Sequence, residues 1–154
     1  MSAQIRPATR ADLPAIVAMR DDLNLHELKG CPHASIVRME LDPFTKVWGH
    51  TFDSPGYCWR LVELDGKPVG YGMIYLLSPR LEPPIAYVQW AYVAPTCRRL
   101  GLGERLMGDL ADWAKQQGAG RIELQFIDGN EIAEGFWMKM GFQPYARRCV
   151  RYLP

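Results

Sequence analysis

One strand and the helix that follows it constrain the fold of this chain more than any other feature. Residues 85–93 read Ile-Ala-Tyr-Val-Gln-Trp-Ala-Tyr-Val, an apolar run typical of a strand that is buried on both faces. Beyond a turn with two glycines, apolar residues recur at helical spacing opposite a charged face: Leu102, Leu106, Leu110, Trp113 and Ala114. A buried strand that leads into an amphipathic helix predicts a mixed α/β fold.

The other segments predict further strands and helices around this pair. Asp65 and Gly66 separate two β-rich runs, residues 57–64 and 68–77, and this dipeptide is a strong hairpin signal. A helix is expected after Thr9, where Asp12 completes a capping pair. The spacing also indicates strands at 5–9, 121–127 and 149–153, and helices at 35–48 and 131–140.

Length and charge exclude several classes of function. The 154 residues suit one domain, 1–154, and the formal charge of +1 provides no basic stripe for nucleic acid. No apolar run approaches the ~20 residues that cross a bilayer, and the first residues lack the order of a signal peptide. We therefore expect a cytoplasmic protein that binds neither nucleic acid nor a membrane.

The cysteines are scattered along the chain, which favours reduced thiols over a disulfide framework. The sequence Cys31-Pro32-His33 has two further histidines nearby, but the spacing matches no structural zinc site. We therefore expect no metal. The residues considered are Cys31, Cys58, Cys97, Cys149, His26, His33 and His50.

Residues 98–104, between the buried strand and the helix, have the features of an anion site. The first amides of a helix lack intrahelical partners and lie at the positive end of the helix dipole. Gly101 and Gly103 remove side chains that would keep a ligand away, and Arg98 and Arg99 add cations suited to phosphate. The segment predicts a pyrophosphate site, and a turn that only connects the two elements is the alternative.

The spacing fits neither of two common phosphate motifs. A P-loop needs Lys and Ser/Thr where Glu104 and Arg105 stand, and a dinucleotide fingerprint needs glycine where Leu106 stands. The run Arg98-x-x-Gly101-x-Gly103, after Val93-x-Pro95, instead resembles the acetyl-CoA pyrophosphate loop of the GNAT superfamily of N-acetyltransferases.

A second run is similar to the other cofactor segment of that superfamily: Asn130-x-x-Ala133-x-x-Phe136-Trp137-x-Lys139-x-Gly141-Phe142. The resemblance covers nearly the whole chain and leaves only residues 26–55, the acceptor-binding segment of such proteins, unconstrained. It implies an α/β (α+β) fold with a mixed, mostly antiparallel central sheet of about six to seven strands. That sheet would contain a splayed parallel pair and carry helices on both faces.

The resemblance also implies contacts to acetyl-CoA, the acyl donor. A bulge would open the first strand of the splayed pair, and main-chain groups of Ala91 and Val93 would pair with the pantetheine arm. Asn130 would bond the pantetheine, and Phe136 and Trp137 would pack along it, with core packing as the alternative for Phe136. The pyrophosphate loop would comprise Arg98, Arg99, Leu100, Gly101, Leu102, Gly103 and Glu104.

Both proton carriers that such proteins often use are missing here. Tyr87 stands where a carboxylate is usual, and Trp137 stands where a tyrosine is usual, although an indole N–H cannot act as an acid. Two-residue periodicity places Tyr87 and Gln89 on one face, so we take them as catalytic candidates that position a water. Simple wall or core roles are the alternative, and the other candidates are Glu82, His50 and Tyr145.

Two functions follow from these features. The first is acetyl-CoA-dependent transfer of an acetyl group to the amine of a small molecule or peptide. The second is a non-catalytic acyl-CoA-binding or sensor module of the same fold. Trp48, Trp59, Trp90 and Tyr87 suggest an aromatic-lined acceptor pocket, and a homodimer is left open.

Overall fold

The computed structural model describes residues 1–28, 40–78, 80 and 82–153. No helix within these ranges is both long and apolar enough to span a membrane. The strands are β1 (Ala3–Pro7), β2 (Tyr57–Leu64), β3 (Lys67–Ser78), β4 (Ile85–Val93) and β5 (Arg121–Leu124). The helices are α1 (Leu13–Leu28), α2 (Leu41–Trp48), α3 (Leu102–Gln116) and α4 (Glu131–Lys139), with 3-10 turns at Arg10–Asp12, Gly49–Asp53 and Pro95–Cys97.

The five strands form one sheet in chain order. Strands β1 to β4 are antiparallel neighbours, and β5 runs parallel to β4 at one edge. The predicted hairpin is confirmed, since Asp65 and Gly66 have φ values of 50° and 76°, as a two-residue type I′ turn requires. Because β4 and β5 are parallel, α3 supplies the long connection between them.

The expected strand number is wrong: the described residues form five strands, not six to seven. The predicted strand at 149–153 has no regular structure, and Val150 and Leu153 are 58% and 82% exposed. A suitable composition is not sufficient, because a strand also needs a hydrogen-bonded neighbour. Strand β5 ends at Leu124 instead of 127. The segment after α4 contacts β5 through the Tyr145 hydroxyl, which donates a hydrogen bond to Glu123.

Helices cover both faces of the sheet, as expected. On one face, α1 and α2 bury a cluster that includes Ile16, Phe44, Leu61, Tyr71 and Met73. On the other face, α3 and α4 bury a cluster that includes Val62, Ile74, Val88, Leu106, Leu110 and Trp137. The predicted second helix, 35–48, is α2 over its later part, whereas residues 29–39, with Cys31 and His33, lie outside the described residues.

Candidate active site

The β-bulge that opens the site lies in the middle of β4. Met73 of β3 pairs with Trp90, but the next residue, Ile74, pairs with Val88, so Gln89 has no partner on β3. The extra residue shifts the alternation of side chains along β4. Tyr87 is opposite Tyr75 of β3, on the same face as Trp90 and Tyr92, whereas Ala91 and Val93 pack in the α3/α4 core.

This bulge changes one expectation from the sequence. The argument that Tyr87 and Gln89 share a face assumed uninterrupted two-residue periodicity, and the bulge at Gln89 interrupts it. Gln89 therefore lies at the irregular point of the strand, and Tyr87 lies on the regular part before it. The two residues remain close in the chain, but the common face that linked them no longer follows.

Strands β4 and β5 separate at the residue that precedes the bulge. Their parallel pairing runs only from Ile85 and Arg121 to Val88 and Leu124. Residues 89–93 have no partner on β5 in the described part of the chain, so one edge of β4 faces an opening. Such an edge offers backbone groups to an extended ligand, which can add to it like another strand.

The helix α3 follows this open edge in the chain, after the loop of residues 94–101. Gly101 is its N-cap residue at φ 70°, with no side-chain cap, so the first amides of α3 have no partner from a capping side chain. A Cβ atom at Gly101 would meet nothing within 4 Å, so the approach to these amides is clear. Arg99 also adopts a left-handed conformation, φ 66°, and Leu100 is 45% exposed. The loop has the geometry of an anion site.

The side chain of Arg98 is held by the strand that precedes it. Its Nε donates a hydrogen bond to the carbonyl oxygen of Val93 over 3.2 Å. A cavity of about 240 Å³ lies on the α1 side of this point, lined by Asp22, Leu25, His26, Tyr92, Pro95 and Arg98. Burial raises the pKa of Tyr92, and the nearby carboxylate of Asp22 adds to the increase. Arg98 is thus a fixed cation at the end of the open edge.

The second motif packs against the start of α3. The carboxamide oxygen of Asn130 accepts the backbone N–H of Ala133 over 3.1 Å and caps α4. Lys139 of α4 forms an ion pair with Glu104 of α3. The structure therefore brings the two motifs together, although they are separated by about 30 residues in the chain.

Phe136 and Trp137 have packing roles in this arrangement. The Trp137 ring is 8% exposed, with ring centroids 4.9 Å from Phe136 and 5.4 Å from Phe142. The Phe136 ring is only partly buried and lies against Gly103. Both aromatic residues belong to the α3/α4 core, and Phe136 is the more accessible of the two.

A row of tyrosines crosses the face of the sheet that carries α1 and α2. Tyr57, Tyr75 and Tyr87 are cross-strand neighbours on β2, β3 and β4, with ring centroids 5.5 and 5.7 Å apart. Burial is the main cause that raises the pKa of Tyr75 and of Tyr87. These phenols are therefore neutral hydrogen-bonding groups at neutral pH.

The row continues onto β5 with a residue that sequence analysis missed. Glu123 is the register partner of Tyr87 across the parallel pair. The sequence predicted a strand at 121–127 that contains Glu123. It did not show that Glu123 pairs with Tyr87, because the sequence of one strand does not give its register with another. Among the other candidates, the His50 ring lies 6.3 Å from that of Tyr57, and Glu82 is exposed in the loop before β4.

The expected aromatic-lined pocket is instead largely a packed cluster beneath α2. Trp59 is 4% exposed, and its indole N–H donates to the hydroxyl of Thr51 over 2.8 Å. The Trp90 ring contacts those of Phe44, Trp48 and Trp59, at centroid distances of 5.8, 4.8 and 5.6 Å. Large apolar rings are buried when a helix can cover them, and α2 does so here.

Comparison with known families decides what this arrangement represents. The model of the acetyltransferase (GNAT) family matches residues 22–142, which include β4, the loop, α3 and the second motif. The chain belongs to the GNAT acetyltransferase family. The bulged strand, the parallel pair that separates and the start of α3 are therefore parts of the GNAT fold in this chain.

Known GNAT proteins resemble the chain over different lengths. Thialysine N-epsilon-acetyltransferase of Bos taurus is 24% identical over 102 residues, and the chain spans 60% of its length. Aminoglycoside N-acetyltransferase AAC(6')-Iy, solved in complex with CoA, has a TM-score of 0.77 at 15% identity, covering 99% of this chain and 95% of that one. Glucosamine-6-phosphate N-acetyltransferase from Arabidopsis thaliana has a TM-score of 0.74 at 15% identity, with full coverage of both chains. At these identities the two structures establish the fold.

Proposed function

We propose that this protein is an N-acetyltransferase that transfers the acetyl group of acetyl-CoA directly to the amine of a small molecule or peptide. The observation that carries the proposal is the separation of β4 from β5 after Val88 and Leu124, on the strand that leads through the loop of residues 94–101 into α3. The open strand edge can take an extended arm, and the helix start that follows it in the chain can take a pyrophosphate. Membership of the GNAT acetyltransferase family supports the same function.

The described residues fit the two ends of a CoA molecule. Ala91 and Val93 lie on the open edge of β4, where main-chain groups can pair with the pantetheine arm. The amides of residues 99–104 lie at the α3 start, and Arg98 and Arg99 add positive charge to bind the pyrophosphate. Since Oδ1 of Asn130 caps α4, its Nδ2 is the group assigned to the pantetheine.

In this reaction a C–N bond forms between the acceptor nitrogen and the acetyl carbon, and the C–S bond of acetyl-CoA breaks. The acceptor ammonium loses two protons, of which one ends on the CoA sulfur and the other in solvent. The chain must hold the thioester carbonyl and stabilise the negative charge that develops on its oxygen. A backbone N–H at the open edge of β4 is suited to this because it is a fixed dipole that needs no reorganisation. Close positioning of the amine supplies a further part of the rate increase.

The relatives suggest which acceptors to try first. Their names specify a thialysine amine, an aminoglycoside and a glucosamine phosphate. All three are small molecules with primary amines, and a peptide with a free amino terminus completes the panel. Location in the cytoplasm and the lack of nucleic-acid binding remain predictions, and a homodimer is left open.

Calorimetry with CoA and an assay of thiol release with this amine panel test the proposal. Gly101→Val should weaken CoA binding more than tenfold, equivalent to about 1.4 kcal/mol. Gly118→Val is the matched control, since Gly118 also has a left-handed conformation with nothing within 4 Å of its Cβ position, but it follows the other end of α3. CoA binding without transfer to any amine would favour the non-catalytic module, and equal affinity in both variants would contradict the assigned loop.

A further inference from the structure

We infer that Glu123 is the proton acceptor for acetyl transfer, placed next to Tyr87 by the parallel pairing of β4 and β5. This inference rests on the proposed N-acetyltransferase function. Position 87 lacks the carboxylate expected from the family resemblance, and the structure supplies one from the neighbouring strand instead. The proposal therefore assigns a base to a site that has none on β4.

Register and packing put Glu123 on the required face of the sheet. It is paired with Tyr87, which is paired in turn with Tyr75. Its neighbours along β5, Ile122 and Leu124, pack into the α3/α4 core. Because side chains alternate along a strand, Glu123 extends from the opposite face, beside the row of tyrosines.

Glu123 also lies at the mouth of the opening between the strands. The pairing of β4 with β5 ends at Val88 and Leu124, one residue beyond Tyr87 and Glu123. At about 3.3 Å per residue along a strand, the base of the Glu123 side chain is only a few ångströms from the point where the strands separate. A carboxylate at this place reaches an amine at the opening directly or through one water molecule.

Neighbouring residues hold the Glu123 carboxylate in place but leave some of its hydrogen-bond acceptor positions free. Its side chain is 12% exposed. Nε of Arg121 donates to one oxygen over 2.8 Å, and the Tyr145 hydroxyl donates to the other over 2.9 Å. A carboxylate has about four acceptor positions, so two remain for a substrate ammonium or a water.

Other titratable or charged groups in the described residues near this position are Tyr87 on β4 and Arg148 after α4. Burial raises the pKa of Tyr87, Arg148 opposes the increase, and Glu123 adds to it. The Tyr87 phenol therefore stays protonated near neutral pH and can orient a bridging water.

The proton balance follows from this arrangement. The acceptor ammonium gives one proton to Glu123, which leaves a nitrogen lone pair to attack the thioester carbon. As the C–N bond forms and the C–S bond breaks, the second proton passes from nitrogen to the sulfur of CoA. The Glu123 carboxylic acid then returns its proton to solvent, so one proton is released for each acetyl group transferred.

The test compares E123Q with the wild type, using the amine of the panel that the wild type acetylates. We expect kcat to fall by about 10²–10⁴-fold at pH 7, as is typical for loss of a general base, while the KM for acetyl-CoA stays within about twofold. The ratio of wild-type kcat to E123Q kcat should fall by at least about tenfold near pH 9.5. At that pH a larger fraction of the acceptor amine is already unprotonated in solution and needs no base. A merely structural role for Glu123 would not produce this dependence on pH.

Two further variants separate the carboxylate from its surroundings. Glu63→Gln is the matched control: Glu63 lies on β2, is 17% exposed and is bound by Arg6, so its loss should leave kcat unchanged. Tyr145→Phe keeps the Glu123 charge and should lower kcat by less than about tenfold. Equal losses in Tyr145→Phe and E123Q would overturn the inference, because they would assign the proton transfer to the phenol.

The hydrogen bond between Tyr145 and Glu123 can be tested without an acceptor amine. The hydrogen bond to Glu123 raises the pKa of Tyr145, so E123Q should lower it in a titration of tyrosine absorbance. An unchanged Tyr145 pKa, or an E123Q kcat equal to that of an active wild type, would overturn this inference alone. A wild type that binds CoA but acetylates no amine would instead overturn the proposed function, and this inference with it.

Discussion

Gly103 of α3 lies against the ring of Phe136 of α4, so closely that a Cβ atom at residue 103 would come within 3.2 Å of Cε2 of the phenylalanine. This contact joins the two motifs that sequence analysis assigned to one ligand. It also gives Gly103 a packing role that Gly101, whose Cβ position is open, does not have.

Gly103→Val should therefore destabilise the fold through overpacking. We expect the free energy of unfolding to fall by about 1–3 kcal/mol, because the Phe136 ring must move to accommodate the new side chain. Urea unfolding of Gly103→Val and of the double variant with Phe136→Leu provides the measurement. The smaller leucine should recover part of the loss, and a double variant with no recovery would contradict a direct contact between the two positions.

Substitutions at Asn130 should separate its structural role from its proposed role in binding. Asn130→Ala removes the cap of α4 and should lower the free energy of unfolding by about 1 kcal/mol. Asn130→Asp keeps an oxygen for the cap but loses the Nδ2 donor. If Nδ2 binds pantetheine, calorimetry will show weaker CoA binding in both variants. Wild-type affinity in Asn130→Asp would leave the residue with the capping role alone.

The ion pair between Arg6 and Asp12 should make stability depend on acidic pH. The Arg6 guanidinium donates to both oxygens of Asp12 over 2.8 and 2.9 Å, and this contact lowers the pKa of Asp12 to about 2, from an ordinary value of 3.8. Because the folded pKa is the lower one, the stabilisation is present above pH 3.8 and is lost as the pH falls through about 2.

Asp12→Asn should accordingly reduce the free energy of unfolding at pH 7 by roughly 1–2 kcal/mol, an amount limited by the partial exposure of Arg6. The difference between variant and wild type should disappear as the pH is lowered from about 4 to 2. Urea unfolding across that interval measures it. A difference that stays constant at all pH values would show that the charge of Asp12 contributes nothing.

The described cysteines should differ sharply in their reactivity. Burial raises the pKa of the Cys58 thiol to about 11, whereas Cys149 is exposed. A thiol reagent at about pH 8 should modify Cys149 in the native protein and Cys58 only after unfolding. Peptide mapping by mass spectrometry identifies the modified positions, and labelling of Cys58 in the native state at the rate of Cys149 would contradict the packing around β2.

Much of the fold was predictable because it depends on neighbours in the chain. Asp65 and Gly66 specify a tight turn through their own backbone preferences, and the helical spacing from Leu102 to Ala114 specifies which side of α3 is buried. The loop of residues 98–104 was predictable as well, since its glycines and the start of α3 are adjacent in sequence. Both cofactor motifs were visible for this reason.

The strand at 149–153 shows where such local evidence ends. Its residues are compatible with a strand, but a sheet edge must be present at the right distance and length to pair with it. Strand β5 is only four residues long, and the segment remains exposed. Local sequence indicates that a strand is possible, and only the assembled sheet decides whether the strand forms.

The sequence by itself determined the hairpin, the amphipathic helix α3 and the two motifs, because each depends on residues close together in the chain. Only the tertiary structure decided the bulge at Gln89, the point where β4 and β5 separate, and the pairing of Tyr87 with Glu123. These features depend on the register between strands, and a shift of one residue would move every side chain to the other face. Register is fixed by the packing of both faces together, which no single segment of the sequence contains.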